Sequence, residues 1–318
     1  MRIRPMLTAA VLAVNLVFFA GVAGAQGSGV PATSTRQAAA QAVFPNPEAA
    51  AAALAAAVRD GNTRSLLAVV GPEARAWLSS GDPVADRHDW RDFLAAYDAR
   101  HEIRLLSEQR AQLLVGEGEW PFPAPLVRGK AGWRFDAVAG GEEVINRRVG
   151  RNELDAMQTL LAIVDAQREF AATDADGNGF NDYALRFRSS EGRRDGLYWP
   201  QLEGQPPSPL GPLVGMASRE GYALREKGAA YHGYRYRILS AQGSEAKGGA
   251  YDYLVDGKLL GGFAVLAYPV KYGVSGVMTF LVNHDGVIWE RDLGPETSKR
   301  AEALQRFNPG KGWRQAQQ

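Results

Sequence analysis

An α+β architecture is predicted by three features of this 318-residue chain. Apolar residues recur at helical spacing in an N-terminal region and again beyond Asn152. Each helical region is followed by short alternating segments bounded by Gly, Asn and Asp turns, the signature of antiparallel strands. Cysteine is absent, so stability rests on packed cores rather than on disulfides or zinc–thiolate sites.

The chain opens with Arg2 and Arg4, continues with the apolar run LTAAVLAVNLVFFAGVA and reaches small residues at Ala23-Gly24-Ala25. Charged, apolar and small-residue regions in that order predict a secretory signal over residues 1–25, cleaved after Ala25. An uncleaved anchor is the other reading of an apolar run this long. The expected location is the periplasm or the exterior, with no membrane span after signal cleavage. Removing 1–25 leaves basic and acidic residues nearly balanced, which gives no reason to expect nucleic acid or an anionic membrane as partner. Residues 26–43, QGSGVPATSTRQAAAQAV, are small, polar and Ala-rich and read as a flexible tether.

The first folded region is expected over residues 44–150. Asn46 suits an N-cap, Pro47 the first helical turn and Glu48 the positive helix start. That helix should run to about Arg59 and stop at Asp60-Gly61-Asn62, with a second helix over Thr63–Val70. A third is expected around DWRDFLAAYDAR, where Trp90, Phe93, Leu94 and Tyr97 recur at helical spacing. Alternation around Ala124–Arg128 and Gly132–Ala137, across a Gly129–Gly132 turn, predicts a hairpin. Helices leading into a curved antiparallel sheet suggest a cone or half-barrel.

Residues 151–318 form the second expected region. A long helix should start near Asn152, its side chain capping, with Leu154, Met157, Leu161 and Val164 as one stripe widened by Leu160, Ile163 and Phe170. The sheet beneath it is supplied by GYRYRILSA, GGFAVLAYPV, GVMTFLVNH and GVIWERDLG, the last two joined by an Asn283-His284-Asp285-Gly286 turn. EGQPPSPLGPLVG, between helix and sheet, reads as an exposed Pro-rich loop.

The blocks GEWPFPAPLV, GWRFDAVAGGEEVINRRVGRNEL, DADGNGFNDYA, YHGYRYRIL and DGVIWERDLGP resemble a family of exported bacterial proteins catalogued as domain of unknown function 2950. The resemblance runs from about Phe44 to Trp313; it implies bacterial export and no particular activity. LLAIVDAQREFAATDADG, GYRYRI and GVSGVMTFLVNHDGVIWERDLG together resemble type IV pilin-like globular domains, which implies a long helix on a small antiparallel sheet. The chain departs from pilins in lacking a prepilin-type Gly–Phe junction, and its helix carries Asp165, Arg168 and Glu169. In layout, Phe44–Arg148 is similar to NTF2-like (cystatin-like) cones.

Few residues carry a chemical signature. G-x-S-x-G, H-E-x-x-H, C-x-x-C, Walker A and G-x-G-x-x-G motifs are missing, which argues against serine-hydrolase, zincin, redox and nucleotide chemistry. The four histidines, His88, His101, His232 and His284, fall beside helices or in turns. Glu117 and Glu119 in GEGEW would share one face of a strand, so they are the candidate acid/base pair of a glycosidase-like site. EEVINRRVGR offers a Glu143–Arg147 pair or, if Arg147, Arg148 and Arg151 converge, an anion-binding cleft. Trp120, Phe122, Trp133 and Phe135 would line a cavity or fill a core. Finally, Asp174, Asp176, Asn178, Phe180 (through its carbonyl) and Asp182 match positions 1, 3, 5, 7 and 9 of a calcium loop with glycine at position 6. Leu185 occupies position 12, so no bidentate acid completes the loop, and a polar turn satisfies the same residues. The expected function is therefore a non-catalytic exported protein that binds or assembles with an envelope protein or polymer. The alternative is a periplasmic hydrolase of envelope polymer using paired carboxylates.

Overall fold

The computed structural model describes residues 40–204, 206–223 and 229–317; the expected signal over residues 1–25 and residues 26–39 of the expected tether lie outside them. Four helices come first: α1 (Pro47–Asp60), α2 (Thr63–Val70), α3 (Arg75–Leu78) and α4 (Pro83–Ala99). The Asn46 side chain accepts the Ala49 N–H as expected, and Gly61 closes α1 at φ 64°, a conformation that favours glycine. α4 starts earlier than its aromatic spacing suggests, because Asp82 caps it through the Val84 and Ala85 N–H groups and Pro83 follows. The last residues of the expected tether are anchored. The Gln41 amide donates to the Val70 and Phe135 carbonyls, and the Ala42 N–H to the Ala68 carbonyl.

Strands β1 (His101–Ser107), β2 (Arg110–Val115), β3 (Trp120–Pro121), β4 (Leu126–Gly129) and β5 (Gly132–Phe135) form an antiparallel sheet in the order β1-β2-β4-β5, with β3 also paired to β2. The β4–β5 hairpin is the expected one. The β1–β2 hairpin has no counterpart in the sequence reading, because β1 is exposed along nearly its whole length and shows no buried alternation. Leu54, Leu67, Phe93, Leu113, Leu126 and Phe135 join helices and sheet in one buried cluster.

The next helix corrects the sequence reading. α5 (Ala137–Ala172) begins at Asp136, whose carboxylate accepts the Ala139 N–H, and continues unbroken past Asn152. Asn152 is no cap; it is buried and donates to the Ser275 carbonyl. Gly140 and Gly141 hide the earlier start, since glycine disfavours helix. Both are there for contact. A Cβ at Gly140 would stand 2.5 Å from the Ala124 Cβ, and one at Gly141 2.8 Å from the Trp77 Cδ1.

After α5 come α6 (Gly211–Glu220), β6 (Tyr234–Leu239), two ribbons made of β7 (Ala241–Gln242) with β8 (Tyr251–Asp252) and β9 (Leu254–Val255) with β10 (Lys258–Leu259), then β11 (Ala264–Pro269), β12 (Met278–Asn283), β13 (Ile288–Asp292), α7 (Thr297–Ala303) and β14 (Arg314–Gln315). The second sheet is antiparallel in the order β14-β13-β12-β11-β6. Leu160, Ile163, Val164 and Phe170 of α5 share a second buried cluster with Leu266 and Phe280 of this sheet. Leu154 falls off the expected stripe, at 55% exposure. The Pro-rich segment is only partly a loop: Pro212 lies in the first turn of α6, which buries Val214 and Ala217. Among the described residues no helix is long and apolar enough to cross a membrane.

The architecture is α+β, and α5 takes part in both clusters. Its glycines make a test. A Cβ added at Gly150 would meet nothing within 4 Å, whereas one at Gly140 would collide with Ala124. Gly150→Ala should raise unfolding stability by about 0.5–1 kcal/mol in urea titration, while Gly140→Ala should lower it. Equal effects of the two substitutions would contradict this packing.

Candidate functional site

A concavity of about 510 Å³ lies between α4, α5 and the β2–β3 hairpin of the first sheet. Its walls follow from helical periodicity. Asp86, Asp89, Trp90, Phe93 and Ala96 lie on one face of α4, and Val144, Arg147, Arg148 and Arg151 on one face of α5. Val115, Trp120 and Phe122 come from the sheet side, and Trp77 from α3. Phe93 and Phe122 meet at 5.4 Å between ring centroids, a contact that holds α4 against the sheet. Trp120 is 44% exposed, and the Arg147 guanidinium sits 5.0 Å from its ring centroid.

Two of the three arginines have carboxylate partners. Arg147 Nε donates to Glu143 at 2.6 Å, and Arg151 lies 3.0 Å from Asp89. Arg148 differs. It is 8% exposed, its Nη1 donates to the Trp77 carbonyl at 3.0 Å, and among the described residues no carboxylate comes within 4 Å of it. Burial lowers its pKa from the ordinary guanidinium value, with Asp86 and Asp89 pushing the other way. The lining aspartates have their own partners: Asp86 accepts the Ser80 N–H, and Asp92 lies 3.2 Å from the His88 ring. Trp77 is clamped in turn, its indole N–H donating to the Ala137 carbonyl.

The model of the family described as protein of unknown function (DUF2950) matches residues 41–316. The chain belongs to that family. No curated protein and no solved structure matches it.

In this DUF2950 protein the arginines of EEVINRRVGR converge on one cavity, and Trp120 and Phe122 line it with them. Trp133 and Phe135 instead fill the core. Glu117 and Glu119 stand in the turn between β2 and β3 rather than along a strand. Hydrogen bonds from Arg104, its charge and the nearby Arg100 lower the Glu119 pKa. Neither glutamate lines the cavity. Sequence reasoning missed the α4 contribution, although the spacing 86-89-90-93-96 carries the signal of one helical face.

The DADGNG loop follows α5 and is closed by its own hydrogen bonds. Asp174 accepts the Asn178 and Gly179 N–H groups, and the Asn178 amide donates to both Asp176 and Asp182. Phe180 gives its N–H to the Asn178 side-chain oxygen. Gly177 and Gly179 take positive φ, as a tight turn requires. Among the described residues no three His, Asp or Glu side chains gather as a metal site. Asp174→Ala should cost on the order of 1 kcal/mol of stability through the lost N–H acceptor. The same loss is expected with and without millimolar calcium; a loss confined to calcium-containing buffer would assign the loop to the ion.

His232 occupies a second polar cluster. Its Nδ1 lies 3.1 Å from Asp155 on α5 and its Nε2 3.1 Å from Glu220 on α6, while the backbone at His232 has φ 49°. Beside it, Asp82 accepts from the Tyr222 hydroxyl and the Gly233 N–H. Burial opposes the charged imidazole, but the Asp155 hydrogen bond and charge, with Glu220 and Asp82, outweigh it and raise the pKa. A raised pKa stabilises the fold fully below the unfolded histidine value of about 6.5, and that stabilisation is lost as pH rises through the folded value. His232→Gln should therefore cost more stability at about pH 6 than at about pH 9. Denaturation midpoints showing a pH-independent cost would contradict the charged arrangement.

Proposed function

We propose that this DUF2950 protein is an exported, non-catalytic binding protein of the cell envelope. The cavity between α4 and α5 is its ligand site. A single observation carries the proposal: about 510 Å³ of space walled by Trp77, Trp90, Phe93, Trp120 and Phe122, with guanidinium groups among them. That size and lining are those of a small-molecule site, in which aromatic surface supplies affinity and a few polar groups supply orientation. Export rests on the signal pattern in residues 1–25, which supports a location in the periplasm or outside. We also propose an NTF2-like cone over residues 44–150, which supplies all of the cavity lining except Arg151, and a pilin-like helix-on-sheet module over residues 151–318. The first would house the ligand and the second would present the protein to an envelope partner.

The test uses a neutral planar probe, 2-naphthamide, titrated into the full chain by calorimetry and ligand-observed NMR. A ligand efficiency of about 0.3 kcal/mol per heavy atom places its dissociation constant near roughly 1 mM or below. Ala96→Trp fills the cavity and should abolish binding, and Trp120→Ala should weaken it several-fold. Binding that Ala96→Trp leaves unchanged would move the site elsewhere.

A further inference from the structure

We infer that the cavity selects an amphipathic monoanion, a flat apolar body carrying one carboxylate, and that Arg148 is the group that receives the carboxylate. This rests on the reading of the cavity as a ligand site and adds the chemical class of the ligand. Three observations converge on it. Arg148 is over nine-tenths buried, lines the cavity, and among the described residues has the Trp77 carbonyl as its hydrogen-bond acceptor, for a group with five N–H donors. Its neighbours on the same helix face do not share this condition, since Arg147 is held by Glu143 and Arg151 by Asp89. The remaining walls are largely aromatic and apolar, so a body that fills the cavity brings its anion to the guanidinium in a water-poor setting.

The physics favours one charge rather than two. Asp86 and Asp89 offset the desolvation cost of the buried guanidinium only from a distance, and an incoming carboxylate adds two parallel N–H···O bonds. Asp86, Asp89 and Asp92 line the same cavity and repel further negative charge. Asp86 and Asp89 are also the acids that act electrostatically on Arg148 without reaching it. A dianion such as a phosphate monoester meets that repulsion, and the other two lining guanidiniums are already held by Glu143 and Asp89. Arg147, Arg148 and Arg151 share the cavity with Asp86, Asp89 and Asp92, so its lining is close to charge-balanced, and the pull on an anion comes from Arg148 as the guanidinium with no carboxylate within 4 Å among the described residues.

Two isosteric probes isolate the charge: 2-naphthoate and 2-naphthamide, titrated separately into the full chain near neutral pH. Wild type should bind the carboxylate about tenfold or more tightly than the amide. Arg148→Gln should erase that preference while amide affinity stays within about twofold, and Arg147→Gln and Arg151→Gln should each retain it. If Arg148→Gln does not fold, Arg148→Lys keeps the charge but loses the planar fork, and should reduce the preference without abolishing it. Equal wild-type affinity for the two probes overturns the inference and leaves the cavity as a neutral apolar site. A preference retained in the folded Arg148→Gln variant, or unchanged in Arg148→Lys, overturns the role of Arg148. Absence of binding by either probe at millimolar concentration overturns both the inference and the ligand-site reading.

Discussion

The rotation of α5 about its own axis is the constraint on which the candidate site depends. A helix of 36 residues is about 54 Å long, and here its two halves are packed into different buried clusters. The second half is locked. Leu160, Ile163, Val164 and Phe170 are buried against the second sheet, each worth about 1.5–3 kcal/mol. Polar contacts fix the same rotation: Glu153 accepts the Val277 and Met278 N–H groups, and Gln167 exchanges two hydrogen bonds with the Ala184 backbone. With that half fixed, the period of 3.6 residues per turn decides where the first half points. Val144, Arg147, Arg148 and Arg151 face α4 because Leu160 and Val164 face the sheet. Turning Arg148 outward to water would require unpacking the opposite end of the same helix.

Glycine sets the distance as packing sets the rotation. At Gly140 the helix touches Ala124, and at Gly141 it touches the Trp77 ring, both closer than any side chain would permit. The close approach brings the Trp77 carbonyl to Arg148 and the Trp77 indole to the Ala137 carbonyl. The two glycines therefore act on the width of the cavity, although neither lines it. Their cost in helix propensity is offset by burial of Trp77 and by the hydrogen bonds on either side of it.

Much of the fold is legible where local chemistry and packing agree. Asn46 with Pro47, the Gly61 stop, the Gly129–Gly132 turn and the four principal strands of the second sheet all carry their signal within a few residues. The failures share one cause. β1 has no buried face, α6 carries in its first turn a Pro that also marks loops, and α5 carries near its start glycines that only the distant Ala124 and Trp77 explain. The site is half legible for the same reason. Arg147, Arg148 and Arg151 stand out as a run, but their convergence depends on a helix whose start is hidden. The carboxylates on α4 look like a solvated face until α5 is laid beside them. Glu117 and Glu119 mislead in the other direction, since a glycine-flanked pair two residues apart describes a turn as well as a strand.

Both walls of the cavity are held from outside it, and this bears on how a ligand would be recognised. α5 is fixed by its apolar contact with the second sheet. α4 is pinned at its N-terminus, where Asp82 caps the helix and at the same time accepts the Tyr222 hydroxyl and the Gly233 N–H. Gly233 leads directly into β6, an edge of the second sheet, and His232 beside it is bound to Asp155 one helical turn beyond Arg151. The same sheet thus positions both helices, one by apolar contact and one through a buried carboxylate. A cavity whose walls are set in this way exists before any ligand arrives, so a ligand would lose little binding free energy to reorganisation. Selectivity then falls to what the fixed walls present, and that is aromatic surface around one buried guanidinium without a carboxylate.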